Sequence, residues 1–145
     1  MSDHERWRHN WRAVSPAEAV RVELPRSRRK RYASRHTVSE LPVGTAVVLS
    51  ASAPLAARRC RQFAADAGVE LDREYLAFPT ANAPAYLVED VAASIRLFLK
   101  TVLVAPPGAS WSAPIGAVLG ALRALNQWRL IRRIAPGRVA VGTRI

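Results

Sequence analysis

The order of apolar and polar residues divides this chain into a polar N-terminal part and a longer part with strand-like and helix-like segments. Thr45–Ala51 is a short, continuously apolar run, which is typical of a strand buried on both faces. Val69–Phe78 alternates and then becomes apolar, and Ala85–Val88 is a brief apolar run after a loop. The pattern therefore predicts three strands in this region.

Helical spacing and helix-ending residues predict three helices. The first is expected between Ser52, its predicted N-cap, and Gly68, which is typical of a helix end. A second helix is expected over residues 91–104, and a long third helix over residues 114–134. The final segment, Arg138–Arg144, predicts a short edge strand.

These elements predict a small α/β domain with a mixed sheet. The order is β-α-β-β-α, then a long helix and a short edge strand. We place this domain at residues 37–145, with a Pro-rich break at residues 105–114. Residues 1–36 are expected to form a basic, largely disordered arm, because the run Arg26–Arg31 is too self-repulsive to pack.

Charge is concentrated at the two ends of the chain. The 145 residues carry a formal net charge of +11. Residues 1–36 and residues 111–145 each contribute +6, and the segment between them contributes −1. Arginine is far more frequent than lysine, which suits phosphate and carboxylate partners, although an arginine- and alanine-rich composition of bacterial type also follows from a GC-rich genome. The basic ends indicate an anionic partner.

Several classes of function are not supported by the sequence. Cys60 is the only cysteine, so neither a disulfide framework nor a cysteine-based zinc site is expected. His4, His9 and His36 all lie in the basic arm, and the Glu89-Asp90 pair is explained by a helix N-terminus. We predict no catalytic residue, no metal site and no cofactor.

The sequence pattern predicts neither a signal peptide nor a membrane span. The N-terminus is too charged for a signal peptide. No run of about 18 apolar residues predicts a membrane span. We therefore expect a cytoplasmic protein that is peripheral at the inner face of the membrane if its partner is there.

The predicted β-α-β unit raises the question of a nucleotide site. Its first turn, Ser50–Pro54, contains no glycine, so that side chains would obstruct close approach of a pyrophosphate to the backbone. Neither of the usual glycine-rich phosphate-binding motifs occurs. On this pattern no nucleotide is predicted.

About forty residues resemble a known family. The segments Leu41–Leu49, Ala67–Val69 and Arg73–Pro79 look like the C-terminal part of class I S-adenosylmethionine-dependent methyltransferase-like domains. The half of that family that binds S-adenosylmethionine has no counterpart in residues 1–36. The resemblance implies a shortened or non-catalytic relative, and it transfers no functional residue.

The arginine-rich segments supply the candidate binding residues. Such clusters bind phosphate groups without reading sequence. The predicted anion-binding residues are Arg26, Arg28, Arg29, Lys30, Arg31 and Arg35 near the N-terminus, and Arg129, Arg132, Arg133 and Arg138 near the C-terminus.

Two further sets are predicted to contact partners. Trp111 and Trp128 bracket the long helix, and tryptophan beside arginine is typical of a helix that lies at a membrane surface. Thr80, Asn82 and Tyr86 lie in or just after a proline-containing loop that follows a strand, which makes this loop a candidate for a small ligand.

The sequence thus predicts a non-enzymatic binding or accessory protein that docks on an anionic partner. The partner is expected to be a membrane surface or a membrane-associated protein. Two alternatives stay open, namely sequence-nonspecific binding of nucleic acid and a truncated methyltransferase-like transferase that needs a partner chain. Homo- or hetero-oligomers are compatible with each of them.

Overall fold

The structure, a computed structural model, describes residues 12–102 and 127–145, and positions 114, 117, 118, 120, 121, 124 and 125. The side chain of Arg28 is outside the described part. The chain divides into two compact units, one comprising the chain up to Leu87 with Ala135–Ile145 and the other comprising Val88–Ile134. The elements are β1 (Val20–Glu23), α1 (Arg28–Ser39), β2 (Ala46–Ser52), α2 (Ala56–Ala67), β3 (Val69–Phe78), β4 (Tyr86–Glu89), α3 (Ala92–Thr101), α4 (Trp128–Ile134) and β5 (Gly137–Arg144).

Five strands form one mixed sheet in the order β1-β2-β5-β3-β4. This arrangement confirms the predicted α/β class with a mixed sheet. β1 is parallel to β2, whereas β5 is antiparallel to both β2 and β3. The strands β1, β2 and β3 therefore run in the same direction, and their carboxyl ends lie at one edge of the sheet. α1 joins β1 to β2, and α2 joins β2 to β3.

The strand β2, which lies between β1 and β5, contributes to both faces of the first unit. Val47 and Leu49 pack on one face with Val38 of α1 and Phe63 of α2. Val48, between them, belongs to a second cluster of buried side chains. A strand buried on both faces was predicted from the continuous apolar run, and the burial of β2 confirms it.

The structure confirms two of the three sequence predictions for the region from Ser52 to Phe78 and corrects the third. The strand β3 has the predicted bounds. Gly68 ends α2 in the left-handed conformation, with φ of 66°, as expected of a C-terminal glycine. Ser52 is not the N-cap, because it is still paired with Gly137 in the sheet, and the N-cap position is Leu55.

The described part of the N-terminal region is folded, so the predicted disordered arm is wrong for residues 20–36. β1 pairs with β2, and α1 begins at Arg28. Positions 31, 34 and 35 are half-buried and Val38 is buried, a spacing that places them on one helix face. Arginine stems can cover apolar surface while their charged ends stay in polar surroundings. The prediction failed because Val38 is the only large apolar residue among these four positions, and Arg31 and Arg35 cover the rest of the face with their stems.

The last strand is central in the sheet, which corrects the predicted edge strand. β5 pairs with β2 on one side and with β3 on the other. Gly142 allows this close packing, because a Cβ at that position would lie 2.2 Å from the carbonyl oxygen of Glu70. An edge strand was predicted because arginine stands at both ends of the segment Arg138–Arg144, which gives it the polar character of a strand at the edge of a sheet.

The second unit contains α3 and α4, which contact each other. α3 lies within the predicted range, and its buried residues are Ile95, Phe98 and Leu99. The predicted single helix over residues 114–134 is wrong at its C-terminal end. Leu125 is a turn residue and Gln127 lies outside any helix, so that α4 begins at Trp128. The predicted Pro-rich break lies outside the described residues except for Pro114.

Candidate anion-binding cleft

Two helices begin at the edge of the sheet where β1 and β2 end. α1 follows β1 after a short loop, and α2 follows β2 after Ala53–Leu55. Neither helix has an acidic residue in its first turn, and neither N-cap residue, Ser27 or Leu55, makes a side-chain cap hydrogen bond. The first N–H groups of both helices add partial positive charge to this edge.

Three arginines, Arg26, Arg31 and Arg59, extend over this edge, and we call them the arginine cluster. Nη2 of Arg26 donates to the carbonyl oxygen of Ala53 at 2.6 Å. Nη1 of Arg31 donates to the carbonyl oxygens of Pro25 at 3.0 Å and of Arg26 at 2.5 Å. Nη2 of Arg59 donates to the carbonyl oxygen of Ser52. Backbone carbonyl groups thus hold all three guanidinium groups in place.

Arg59 is the least satisfied member of the arginine cluster. Its Nε and Nη1 atoms are buried and make no hydrogen bond. Burial lowers the pKa of Arg59 below its ordinary value, and the positive charges of Arg31 and Arg26 lower it further. Within the described chain, none of the three guanidinium groups pairs with a carboxylate. The cluster therefore combines like-charge repulsion with donors that lack an acceptor.

A cleft of about 280 Å³ lies beside the arginine cluster, between α1 and α2. Arg31, Tyr32 and Arg35 form its α1 wall. Its α2 wall is formed by Arg59, Gln62, Phe63 and Asp66. The first and last of these four residues are two turns apart on α2, so they lie on one helix face. Arg31 and Arg59 belong both to the cluster and to the cleft, which makes the two features one continuous site.

The predicted N-terminal anion-binding residues divide between this site and open surface. Arg26, Arg31 and Arg35 belong to the cluster or the cleft. Arg29 and Lys30 are exposed and do not line the cleft. The side chain of Arg28 lies outside the described part.

The predicted C-terminal anion-binding residues differ in burial and in their partners. Arg138 is only 6% exposed on β5, so it lies in the interior of the first unit and not on the open surface that the sequence suggested. Arg132 pairs with Asp90, its Nε lying 2.7 Å and 2.9 Å from the two carboxylate oxygens. Arg129 and Arg133 are exposed. The Cζ atom of Arg129 lies 5.5 Å from the ring centroid of Trp128.

The other predicted contact residues have varied surroundings. Trp111 lies outside the described residues. Oγ1 of Thr80 accepts a hydrogen bond from the backbone N–H of Ala83, and Nδ2 of Asn82 donates to Glu23 at 2.8 Å. Both side chains therefore hold the loop in place. Tyr86 is half exposed at the start of β4.

Arg59, Gln62 and Asp66 are site residues that the sequence prediction missed. The signal for Arg59 is its place near the start of α2, where a cation is unfavourable because of the positive helix end. Gln62 and Asp66 give no comparable signal, since polar residues on an exposed helix face are common. Only the packing of α1 against α2 makes them neighbours of Arg31 and Tyr32.

Comparison with protein-family models, with curated proteins and with solved structures gave no match. The resemblance to methyltransferase-like domains therefore stays a prediction. Among the described residues, no group of histidine, cysteine and carboxylate side chains is suited to a metal ion. No helix in the same part of the chain has the length and apolar character needed to cross a membrane.

Proposed function

We propose that this chain is a non-enzymatic binding or accessory protein that docks on an anionic, phosphate-bearing partner through the arginine cluster. The observation that carries the proposal is the state of Arg59. Two of its donor atoms are buried without an acceptor, and the charges of two further arginines act on it. An anion bound here would accept those hydrogen bonds and offset the repulsion.

The geometry suits a partner whose anionic group projects into the cleft better than it suits a flat charged surface. Arg59 lines the cleft, and its Nε and Nη1 atoms are buried without an acceptor. The proposal therefore requires an acceptor that enters the cleft and approaches these atoms. Phosphate oxygens suit this requirement, because a guanidinium group can donate two parallel hydrogen bonds to them. The uncapped N-termini of α1 and α2 favour negative charge at the same edge.

An anionic membrane surface is the second candidate partner, and a feature of the second unit favours it. Leu97 of α3 and Leu130 and Ile134 of α4 are exposed large apolar side chains. Arg129 and Arg133 are exposed on α4 as well. Exposed apolar groups beside arginine are typical of helices that lie at a lipid interface.

Removal of the arginine cluster is expected to weaken anion binding far more than loss of the same charge elsewhere. The test variant is Arg26→Gln/Arg31→Gln/Arg59→Gln, and the control is Arg12→Gln/Arg29→Gln/Arg58→Gln, which changes three exposed arginines outside the cleft. Binding to a labelled 5′-phosphorylated single-stranded oligonucleotide is measured over a salt series. Since charged hydrogen bonds are lost only in the first variant, we expect its affinity to fall about 10- to 100-fold.

The control variant should lose less than about threefold at moderate salt, because exposed charges are screened. Equal losses in both variants would show that net charge alone drives binding and would contradict the proposal. Thermal unfolding of both variants establishes that they are folded. Vesicles containing anionic lipid form the second arm. Vesicle binding that Leu130→Ser/Ile134→Ser abolishes and the cluster variant leaves unchanged would favour the membrane instead.

A further inference from the structure

The cleft between α1 and α2 offers more than positive charge. Tyr32 lines it and is 63% exposed. The Cζ atom of Arg35 lies 4.9 Å from the centroid of the Tyr32 ring. An exposed aromatic ring with a guanidinium group packed over it is a platform on which a further planar group can stack. Tyr32 and Arg31 both line the cleft, so this platform adjoins the arginine cluster.

The opposite wall carries hydrogen-bonding groups without partners. Gln62 and Asp66 are four residues apart on α2, and both line the cleft. Neither side chain makes a hydrogen bond or ion pair within the described chain. The amide of Gln62 can both donate and accept, and the Asp66 carboxylate can accept from N–H or O–H groups. Such groups match the edge of a nucleobase or the hydroxyl groups of a sugar.

The volume of the cleft limits the size of its ligand. At about 280 Å³ it is close to the lower end of the range typical of small-molecule sites, about 300–1,000 Å³. A ligand with one phosphate group and one ring system fits a cleft of this volume. A dinucleotide cofactor would extend beyond this space.

From this arrangement we infer that the cleft binds a single nucleotide unit, with the phosphate at Arg31 and Arg59 and the base stacked on Tyr32. The inference rests on the proposed function, because it uses the same arginines for the phosphate. It does not need the glycine-rich turn whose absence argued against a nucleotide in the sequence. Here side-chain guanidinium groups, instead of backbone N–H groups, contact the phosphate.

The nucleotide unit could come from two sources with the same chemistry, a free nucleoside monophosphate or the 5′-terminal nucleotide of a single strand. Calorimetric titration with adenosine 5′-monophosphate, ribose 5-phosphate and inorganic phosphate measures the part played by the base. A 5′-phosphorylated oligonucleotide, compared with its unphosphorylated form, is the second arm. Stronger binding to the oligonucleotide than to the mononucleotide identifies the strand as the source, and the reverse identifies the free nucleotide.

We expect adenosine 5′-monophosphate to bind at least about tenfold more tightly than ribose 5-phosphate or inorganic phosphate, because only it can stack. Tyr32→Ala should remove this preference, and Tyr32→Phe should retain it, because the aromatic face is preserved. Tyr86→Ala is the matched control, since Tyr86 is also exposed but does not line the cleft. Substitution of the exposed Tyr32 is not expected to unfold the protein.

Equal binding of the three small probes, or no effect of Tyr32→Ala, would overturn the nucleotide inference. The proposed function would survive that result if the cluster variant still lost phosphate binding. If the cluster variant retained both phosphate binding and oligonucleotide binding, both proposals would be contradicted. The two failures are therefore distinguishable.

Discussion

Replacement of Gly142 by alanine is expected to lower the free energy of unfolding by about 3 kcal/mol or more, since it forces an extra group into closely packed backbone. Gly142 lies in the central strand β5, opposite Leu71 of β3. A Cβ there would be 2.2 Å from the carbonyl oxygen of Glu70 and 3.0 Å from the Cα of Leu71. Both neighbours are backbone atoms, so no side-chain rotation can relieve the contact.

The close approach lies beside an irregularity in the pairing of these two strands. The register of β3 against β5 shifts between Leu71, which is opposite Gly142, and Arg73. The expected result is a lower midpoint in urea unfolding followed by circular dichroism. Gly120→Ala is the control, because an added Cβ at Gly120 meets nothing within 4 Å. Equal stability of the two variants would contradict the central position of β5.

Stability is expected to fall at alkaline pH because of the buried thiol of Cys60. Burial, as the larger cause, and the nearby Glu74 carboxylate raise the pKa of Cys60 from its ordinary 9.0 to about 12. The positive charges of Arg59, Arg138 and Arg61 oppose this shift without cancelling it. Cys60 belongs to the core cluster under α2, where a thiolate would lack solvation.

The raised pKa fixes the direction of the pH effect. Below about pH 9 the thiol is protonated in both the folded and the unfolded chain, so its contribution is complete. As the pH rises from 9 toward 12, the unfolded chain loses this proton first, which favours unfolding. One pKa unit corresponds to about 1.4 kcal/mol, so about 2–3 kcal/mol should be lost by pH 11.

Urea unfolding of the wild-type protein and of Cys60→Ala between pH 8 and pH 11 measures this contribution. The substitution removes the thiol titration but leaves every tyrosine and arginine in place. The wild-type protein should therefore lose more stability over this interval than the variant. Parallel pH profiles would show that the thiol ionises equally well in the folded chain and would contradict a buried Cys60.

The strands were predictable where apolar character is continuous. β2 is recognisable because its side chains are buried over five successive residues, and β3 because its pattern becomes continuously buried at residues 75–77. Gly68 ends α2, as its conformational freedom suggests. β1 has a clear alternation of half-buried and exposed residues, but it has only four residues in a polar context. Such a short strand gains its stability from pairing with β2, which the local pattern does not reveal.

The candidate site was only partly predictable for a related reason. Arginine density identified Arg26, Arg31 and Arg35, but the sequence could not indicate which arginines would converge. Arg59 joins them because α1 and α2 cover the same face of the sheet. Conversely, Arg138 looked like surface charge, and the pairing of β5 with two strands buries it. Convergence and burial both depend on contacts between distant segments.

The most direct test of the anion-binding site observes the unpartnered donor of Arg59 itself. In a nitrogen-15-edited NMR titration with inorganic phosphate at fixed ionic strength, each arginine Nε–H group gives its own signal, and Arg59→Lys assigns the relevant one. We predict that the Arg59 signal shifts saturably, because phosphate supplies the acceptor that the folded chain lacks, while the signal of the exposed Arg58 changes little. An unchanged Arg59 signal, or equal shifts for Arg59 and Arg58, would contradict the site.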